Sequence, residues 1–349
     1  MRMLKRILNN QRCAWALFFL AVFYLIAIFA DFIAPYRYDE DDLNRIWAPP
    51  ARIGLIDIHQ GAAGPFVYGQ VYKVNEYYQR IYAENKDNIY PIRFLARGFS
   101  YKVLGIFSCD IHLFGAEGEK VMLLGADSQG RDIFSRIVYG SRASLFIALI
   151  GALLALAIGM VAGGIAGYCG GFIDNIIMRF CEMLMMAPAF YLILAMRGAF
   201  PSGLSSIQVY LLIVIVLSFI GWASTARVIR GMAISLREND FILSARALGV
   251  SRGAIIMRHI LPHTFPYAIT TLCLSVPGYI LGEAALSMLG LGVQEPQASL
   301  GNLLSMAMGV ASIRLYPWVL APGIFIIAAV VCFNMLGEAL QEEFDVKSK

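Results

Sequence analysis

The stretch LSARALGVSRGAIIMRHILPH, residues 243–263, is a short basic segment between two long apolar ones. Around its first glycine, residues recur at helical spacing and predict one apolar helix face: Phe241, Ile242, Ala245, Leu248 and Gly249. Glycine readily adopts the left-handed conformation that ends many helices, so Gly249 predicts a turn. The stretch is therefore expected to open with a short amphipathic helix that stops at a glycine.

A second short helix is predicted after this turn. Ser251 is a good N-cap for a helix running through Ile260, and Pro262 disfavours its continuation. Three arginines stand six residues apart, at Arg246, Arg252 and Arg258. We expect two short amphipathic helices joined at Gly249, lying at the inner membrane face with the arginines in water. A plain solvated basic loop would explain the charge but not the hinge.

The composition is that of a membrane protein. The chain has 349 residues, 59% of them hydrophobic and 15% charged, against about 25% charged in an average soluble domain. A soluble domain cannot bury that much apolar surface, so several transmembrane helices are expected. The six cysteines are scattered without a C-x-x-C pair and the four histidines are dispersed, which argues against disulfides and a metal site.

Six apolar spans are long enough to cross roughly 30 Å of hydrocarbon at about 1.5 Å per helical residue. They lie at about Cys13–Ala34, Ala143–Gly167, Ile176–Met196, Ile207–Ala226, Phe265–Leu289 and Pro317–Gly337. The first follows a basic flank and precedes no small-x-small cleavage site, so we expect an uncleaved signal anchor. The chain is thus predicted to be an all-α polytopic membrane protein.

Basic residues near the span ends predict the orientation. Those before the first span place the N-terminus in the cytoplasm: Arg2, Lys5, Arg6 and Arg12. Six spans then return the C-terminus to the cytoplasm, together with the arginine-rich loop at about 227–264. Three arginines conflict with this rule because parity places them outside: Arg131, Arg136 and Arg142. Long extracytoplasmic segments are largely exempt from it.

Residues 35–130 differ in kind from the spans. They are polar, mixed in charge and rich in tyrosine, and alternating runs such as FVYGQVYKV predict strands. We expect an extracytoplasmic insertion whose tyrosines form its core and cross-strand pairs; a ligand-docking surface is the alternative. The predicted division is 1–34 (N-terminus and helix one), 35–130 (insertion), 131–142 (interfacial segment), 143–340 (transmembrane core) and 341–349 (cytoplasmic tail).

Motifs of catalysis are absent from the sequence. It contains no G-x-x-x-x-G-K-[ST] loop for nucleotide phosphates, no H-E-x-x-H and no G-x-S-x-G, so the chain is predicted to be a non-catalytic subunit that does not hydrolyse ATP alone. Gly159, Gly163 and Gly167 recur every four residues and predict close helix packing, either static or as a sliding contact between subunits.

Charged residues in apolar surroundings are further candidates. Glu283 lies within SVPGYILGEAALSMLGLG, where an ionisable group is a functional candidate by default. Either a substrate-path role or a carboxylate that fixes an interface is consistent with this position, and the structural role is favoured slightly. Arg179 and Glu182 are three residues apart and are predicted to pair along a helix.

The hinge residues resemble those of a permease subunit of binding-protein-dependent ABC importers. In that family the pattern E-A-A-x-x-x-G-x9-I-x-L-P marks the loop that docks on the ATPase. The matching residues here are Ser244-Ala245, Gly249, Leu261 and Pro262, whereas Leu243 stands at the glutamate position and His259 at the isoleucine position. The loop residues singled out by the resemblance are Ser244, Ala245, Arg246, Ala247, Leu248, Gly249, Val250, Ser251, Arg252, Leu261 and Pro262.

Other segments narrow the resemblance to the C-type permease of the dipeptide/oligopeptide/nickel branch. They are LLGADSQGRDIFSRIVYGSRASL, GYCGGFIDNIIMRFCEMLMMAPAF, EAALSMLGLGVQEPQASLGNLL and YPWVLAPGIFI, which together cover about Leu123–Val346. The long insertion departs from common members and is similar to longer peptide permeases of the kind tied to peptide antibiotic uptake.

The resemblance implies a type I ABC importer permease fold in the bacterial cytoplasmic (inner) membrane and a peptide cargo. The implied partners are a second homologous permease, two cytoplasmic ATP-binding subunits, an extracytoplasmic solute-binding protein and the lipid bilayer, with no nucleic acid. ATP and Mg²⁺ would be bound by the partner ATPases, so this chain is expected to hold no cofactor and no metal.

Two alternatives stay open at this point. The same machine would import nickel or another small solute if its binding protein selected one. A channel or secondary transporter independent of an ATPase would instead show embedded charge pairs and internal symmetry. The sequence offers one clear embedded charge, Glu283, and no obvious repeat.

Overall fold

A computed structural model describes residues 11–57, 62–103, 107–186, 188–199, 201 and 203–346. Three basic residues used to orient the chain (Arg2, Lys5 and Arg6) and His59 lie outside the described residues. The chain forms two compact units. One comprises Met1–Ala21, Phe146–Glu283 and Ala328–Lys349, and the other comprises Val22–Leu145 and Ala284–Ile327.

Two helices open the described chain, α1 (Gln11–Ile28) and α2 (Ala30–Ile33). The remaining helices up to the predicted docking loop are α3 (Ile133–Cys169), α4 (Gly171–Met186), α5 (Ala189–Gly198) and α6 (Ser206–Arg237). Ser205 begins α6 as its N-cap, because its hydroxyl accepts from Gln208 N–H while the Gln208 side chain accepts from Ser205 N–H. Sharp entry into α4 follows from Gly170 and Gly171, both left-handed.

The docking loop and the last third of the chain are also helical. The loop contains α7 (Asp240–Ala247), α8 (Arg252–Ile255), a π-helical segment (Ile256–Ile260) and α9 (Leu261–His263). Then follow α10 (Phe265–Met288), α11 (Leu300–Ser305), α12 (Val310–Leu315) and α13 (Ala321–Val346). Short 3₁₀ turns occupy Met306–Met308 and Pro317–Leu320.

Five helical segments of the described residues are long and apolar enough to cross a membrane. They are Gln11–Ile28, Ile133–Cys169, Gln208–Arg237, Phe265–Met288 and Pro317–Phe344. Five of the six predicted spans therefore fall on long apolar helices. The third, Ile176–Met196, does not form one helix: α4 ends at Met186, and α5 starts after Pro188. Proline lacks the backbone N–H that would continue the helix through this point.

The helix ends differ from the predicted divisions. Helix α3 begins at Ile133, so most of the predicted interfacial segment 131–142 belongs to its first turns. Helix α13 runs to Val346, past the predicted end of the core at residue 340. The predicted insertion belongs to a larger compact unit, Val22–Leu145 with Ala284–Ile327.

The insertion contains a four-stranded antiparallel sheet in the order β1-β2-β3-β4. Its strands are β1 (Ile53–Asp57), β2 (Ala62–Val74), β3 (Arg80–Val103) and β4 (Phe107–Ala116). The strand predicted from FVYGQVYKV is confirmed as the greater part of β2. The first half of β3 pairs with β2 and its second half with β4, so one long strand joins both hairpins.

One cross-strand tyrosine pair of the predicted kind is present in this sheet, whereas Tyr77 and Tyr78 are exposed and not part of a core. Tyr72 of β2 lies opposite Tyr82 of β3, with ring centroids 5.7 Å apart. The Tyr82 hydroxyl donates to Ile46 O at 2.7 Å, which ties the sheet to the segment before β1. At the opposite end of the sheet, Phe114 packs on Phe134 of α3 at 5.7 Å. The sheet is thereby fixed to the helical part of its own unit.

Candidate docking loop and buried polar sites

The predicted hinge is a helix C-terminus closed by glycine. Gly249 has φ +78°, and its N–H donates to Arg246 O at 3.0 Å. The next N–H, of Val250, donates to Ala245 O at 3.1 Å. These two bonds form a Schellman motif, which satisfies carbonyls that a helix end leaves open. The backbone at residue 249 therefore requires a left-handed conformation.

The second helix of the loop starts where the sequence predicts and ends elsewhere. Ser251 is its N-cap, and the Ser251 hydroxyl accepts from Ala254 N–H. The expectation that Pro262 disfavours continuation past Ile260 is wrong, since α9 contains Pro262 and helical structure reaches His263. The π-helical segment just before it shifts the hydrogen-bond ladder, so that Leu261 N–H donates to Ile256 O. Such bulges relieve the ladder near a residue that cannot donate.

One side of the loop packs into an apolar cluster. Ile242 and Ala245 from α7 are buried, as are Ile229 and Ala233 from α6. The cluster continues through Ile255, Ile256, Ile260 and Leu261, with Met160, Ile165 and Tyr168 of α3 packed against it. Burying one aliphatic side chain stabilises by about 1.5–3 kcal/mol. The loop is therefore anchored on the ends of α3 and α6 as a well-packed body.

The other side of the loop is exposed and carries both apolar and basic groups. Leu248 was predicted on the buried face, yet it is 85% exposed, because α7 ends at Ala247 and the helical spacing no longer applies. Phe241, also assigned to that face, is exposed. Arg246 and Arg252 are exposed beside Leu248 in the sequence, and so are the remaining predicted loop residues Ser244, Ala247, Ser251 and Pro262.

The glycines of α3 contact a helix of the same chain. A Cβ atom added to Gly159, Gly163 or Gly167 would lie within 2.8 Å of a backbone carbonyl oxygen of α6. Those oxygens belong to Trp222, Ala226 and Arg230 in turn, so the two helix backbones touch over two turns of α3. In this structure the four-residue glycine repeat is an intrachain packing face.

An ion pair holds helix α4 against helix α6. Arg230 of α6 donates through two nitrogens to the two carboxylate oxygens of Asp174 in α4, one of them at 2.6 Å. Such a forked pair sets geometry as well as energy. The predicted pair Arg179–Glu182 is present at 2.7 Å with both side chains exposed, where an ion pair contributes little.

Glu283 is fully buried in α10. A Cβ at the preceding Gly282 would lie 3.1 Å from Leu217 of α6, so α10 and α6 pack closely just before the carboxylate. Pro277 lies inside the same helix. The geometry gives Glu283 a protein environment and does not assign it to a substrate path.

The arginines that conflicted with the charge rule are neutralised by partners that the sequence does not reveal. Arg136 is fully buried and donates to Asp127 and, at 2.7 Å, to Glu295. Arg131 pairs with the same two carboxylates, at 2.8 Å to Asp127. Arg142 donates to Asp31 at 2.7 Å and to Ala27 O at 2.8 Å, near the end of α1. These cations act as structural ties.

Asp132 caps the start of α3 next to this network. Its Oδ2 accepts from Ser135 N–H at 2.8 Å and from the Ser135 hydroxyl at 2.6 Å. Its Oδ1 is buried and accepts no hydrogen bond from the described residues. Burial raises the pKa of Asp132 to about 6, against the lowering effect of the Ser135 bonds.

Metal chemistry has no support in the described part of the chain, which contains no group of three or more His, Cys, Asp or Glu side chains arranged to hold an ion. The described features define a polytopic helical membrane protein with a packed, hinged and partly basic loop.

Comparison with known families identifies its class. Residues 155–347 match the family described as binding-protein-dependent transport system inner membrane component. Residues 1–50 match the N-terminal TM domain of oligopeptide transport permease C. The chain belongs to this family of inner-membrane permeases, and it is a multi-pass inner-membrane component.

Individual relatives agree with this assignment. The oligopeptide transport system permease protein OppC of Haemophilus influenzae is 37% identical over 226 residues, covering 64% of this chain and 70% of the relative. OppC of Escherichia coli K12 is 36% identical over 226 residues, covering 64% and 72%. The dipeptide transport system permease protein DppC of Bacillus subtilis is 36% identical over 225 residues, covering 64% and 68%.

Proposed function

We propose that this chain is the C-type permease subunit of an ATP-driven peptide importer. With a second homologous permease it forms the translocation path for oligopeptides or dipeptides that a solute-binding protein delivers. The names of its relatives, oligopeptide and dipeptide permeases at 36–37% identity, support the cargo class. Two cytoplasmic ATPases bind ATP and Mg²⁺ and supply the energy, since this sequence has no phosphate-binding loop.

The same proposal assigns six membrane crossings. Helices α4 and α5, interrupted at Pro188, together form the third crossing, because 16 residues of α4 alone reach only about 24 Å. With six crossings both termini are cytoplasmic, and so is the loop at about 227–264. The sheet-containing insertion is then extracytoplasmic, and Arg131 and Arg136 are compatible with this because long segments translocate largely regardless of charge.

The observation that carries the proposal is the two-sided docking loop. Its inner side is held by the cluster around Ile242 and Ile255, while Leu248 stands 85% exposed at the hinge with Arg246 and Arg252 beside it. We interpret this exposed leucine, with Arg246 and Arg252 near it in the sequence, as an apolar contact for a protein partner on a well-packed support. A partner ATPase that moves this loop also moves α3 and α6, because both contribute to the cluster.

A Leu248→Asp variant tests the interface without disturbing the fold. Since Leu248 is 85% exposed, its replacement leaves the buried cluster intact. We expect membrane insertion to be normal but ATPase assembly and peptide uptake to fall, together with the coupling between ATP hydrolysis and transport. Arg246→Glu is also expected to reduce ATPase assembly and peptide uptake, because losing the positive charge slows association of the permease with the ATPase and changes the salt dependence of that rate.

Val310→Asp is the matched control, because Val310 is 82% exposed and belongs to the other compact unit. Assembly is measured by copurification of tagged permease with the ATPases, and transport by uptake of labelled peptides. Unchanged coupling in Leu248→Asp and Arg246→Glu would refute the docking role. Uptake of Ni²⁺ with no uptake of any peptide would refute the cargo while leaving the importer intact.

A further inference from the structure

The inserted sheet lies where the family resemblance gives no guidance. The matched regions are residues 1–50 and 155–347, so residues 51–154 fall outside both. All four strands, β1 to β4, lie in this unmatched region. The matched helices belong to the part of the chain that the permease family shares. The unmatched segment, residues 51–154, therefore offers exposed surface whose role the family models do not define.

A small aromatic cleft lies where this sheet meets the segment that precedes α13. The cleft holds about 240 Å³, and we define it by Trp47, Arg80, Tyr82, Tyr316 and Trp318. Ligand pockets for small molecules usually measure about 300–1,000 Å³. This cleft is smaller than that range, which suits a single side chain better than a bound solute.

The aromatic walls of the cleft are held in place. Trp47 and Tyr316 stack with centroids 4.4 Å apart and planes 3° from parallel. Trp47 has φ +58°, a left-handed conformation that a bulky side chain rarely adopts, and its N–H donates to Asp127 O at 2.9 Å. Trp318 Nε1 donates to Ala126 O at 3.1 Å. Because these aromatic side chains are already held in place, they lose little conformational entropy when a partner binds.

Arg80 places a cation at the edge of this cleft. Its guanidinium lies 4.4 Å from the centroid of the Tyr72 ring and donates to Leu43 O. Several other cations of the insertion are paired with carboxylates, for example Arg45 with Glu119 and Arg93 with Glu117. Among the described residues Arg80 has no such pairing, so it is available to an acidic group from outside.

The turn beside the cleft presents two aromatic side chains on a stiff support. In this hairpin tip, residues 75–79, Tyr77 is 79% exposed and Tyr78 is 92% exposed. The Asn75 side chain accepts from Tyr77 N–H at 3.0 Å and from Gln79 N–H at 2.8 Å. Asn75 and Gln79 also line the cleft. Rigid, exposed aromatic residues next to an arginine are typical of interface hot spots.

We propose that the aromatic cleft and the hairpin tip together dock the solute-binding protein, through an apolar side chain and a carboxylate on that protein's surface. This rests on the proposed function, which places the insertion outside the cytoplasm. The family itself is dependent on a binding protein. The cleft also includes Tyr316 and Trp318, at the start of the segment that leads into α13. A docked protein thus contacts both the inserted sheet and the approach to a transmembrane helix.

The test uses the complete transporter in lipid nanodiscs with the binding protein that copurifies with it. Tyr78→Ala and Arg80→Glu are compared with wild type for binding-protein affinity and for its stimulation of ATP hydrolysis. Each is expected to weaken binding by roughly thirtyfold, and Arg80→Glu to reduce its salt dependence, with unstimulated hydrolysis unchanged.

The controls are exposed residues of β3 away from the cleft, Phe94→Ala and Arg97→Glu, which should bind within about twofold of wild type. Normal affinity in Tyr78→Ala and Arg80→Glu would overturn the docking surface while the proposed function stands. A wild-type complex whose hydrolysis ignores the binding protein would overturn both. Tryptophan fluorescence quenched by free peptide alone, at the affinity of transport, would assign the cleft to cargo and overturn the docking role.

Discussion

Substitutions at Gly249 test whether the hinge requires glycine for its backbone conformation or for the space around it. An added Cβ at this position meets no atom within 4 Å, so a larger side chain does not clash. The φ of +78°, however, is disfavoured for residues that carry a Cβ, by about 1–2 kcal/mol. Asparagine tolerates this conformation better than alanine because its side chain hydrogen-bonds locally.

We therefore expect the variants to rank by conformation and not by size. Gly249→Asn should retain most coupling between ATP hydrolysis and transport. Gly249→Ala should shift the hinge away from its left-handed form by roughly 5- to 30-fold, the equivalent of about 1–2 kcal/mol. Gly249→Val should be most severe, since a β-branched residue is an outlier at positive φ. The loss of the Schellman bonds would free Val250 and fray the end of α7.

The assay measures ATP hydrolysis and peptide uptake in the same proteoliposomes, with membrane insertion and ATPase copurification as controls. The ratio of transport to hydrolysis should fall in the order Gly, Asn, Ala, Val. An order that follows side-chain volume, with Asn worse than Ala, would refute the conformational argument. Equal coupling in all four proteins would show that coupling between ATP hydrolysis and transport does not depend on the backbone conformation at residue 249.

Three further predictions concern packing and charge. Gly163→Ala should destabilise the purified protein by about 1–3 kcal/mol in thermal unfolding, because the added Cβ would clash with Ala226 O. Gly231→Ala is the control: its Cβ meets no atom within 4 Å, so it should stabilise α6 by up to about 1 kcal/mol. Equal effects of the two variants would contradict the packing role of Gly163. Arg136→Met should destabilise the protein by about 1–3 kcal/mol, because buried Asp127 loses one of its two arginine partners and keeps only Arg131. Adding Asp127→Asn should recover part of this loss, and a neutral single variant would contradict the reasoning. Asp132→Asn keeps a side-chain oxygen that can cap α3 but removes the titrating carboxyl. Because the pKa of Asp132 is about 6 in the folded protein and about 4 in the unfolded chain, the wild type should lose stability relative to Asp132→Asn as pH rises from about 4 to 6, and no further above that. A stability difference that does not change with pH would refute the raised pKa.

Local features were the ones that sequence reasoning predicted well. The hinge at Gly249 and the cap at Ser251 depend on conformational preferences of single residues, and both are present. The wrong assignments concern where helical structure stops within the segment. Leu248 continued a helical pattern, but the helix had already ended. Pro262 was interpreted as a stop, but a π-helical segment accommodates it.

The buried ion pairs were out of reach for a different reason. Arg131 and Glu295 are 164 positions apart, and Arg230 and Asp174 are 56 apart. Hydrophobic periodicity says which helix face is apolar, but it does not say which distant carboxylate faces a given arginine. The apparent violation of the charge rule by Arg131, Arg136 and Arg142 was itself the available signal. Cations at unexpected positions near a membrane need partners, because an unpaired buried charge is strongly unfavourable.

The glycine face and the apolar cluster together limit how the proposed docking loop would transmit a movement to the helices. Backbone contacts between α3 and α6 leave no room for a side chain, so sliding one helix along the other would break close packing at each glycine. The cluster that holds the loop includes residues from the ends of both helices. A displacement of the loop must therefore carry α3 and α6 together. At Pro188, between α4 and α5, the same unit lacks one backbone donor, since proline has no N–H to continue a helix.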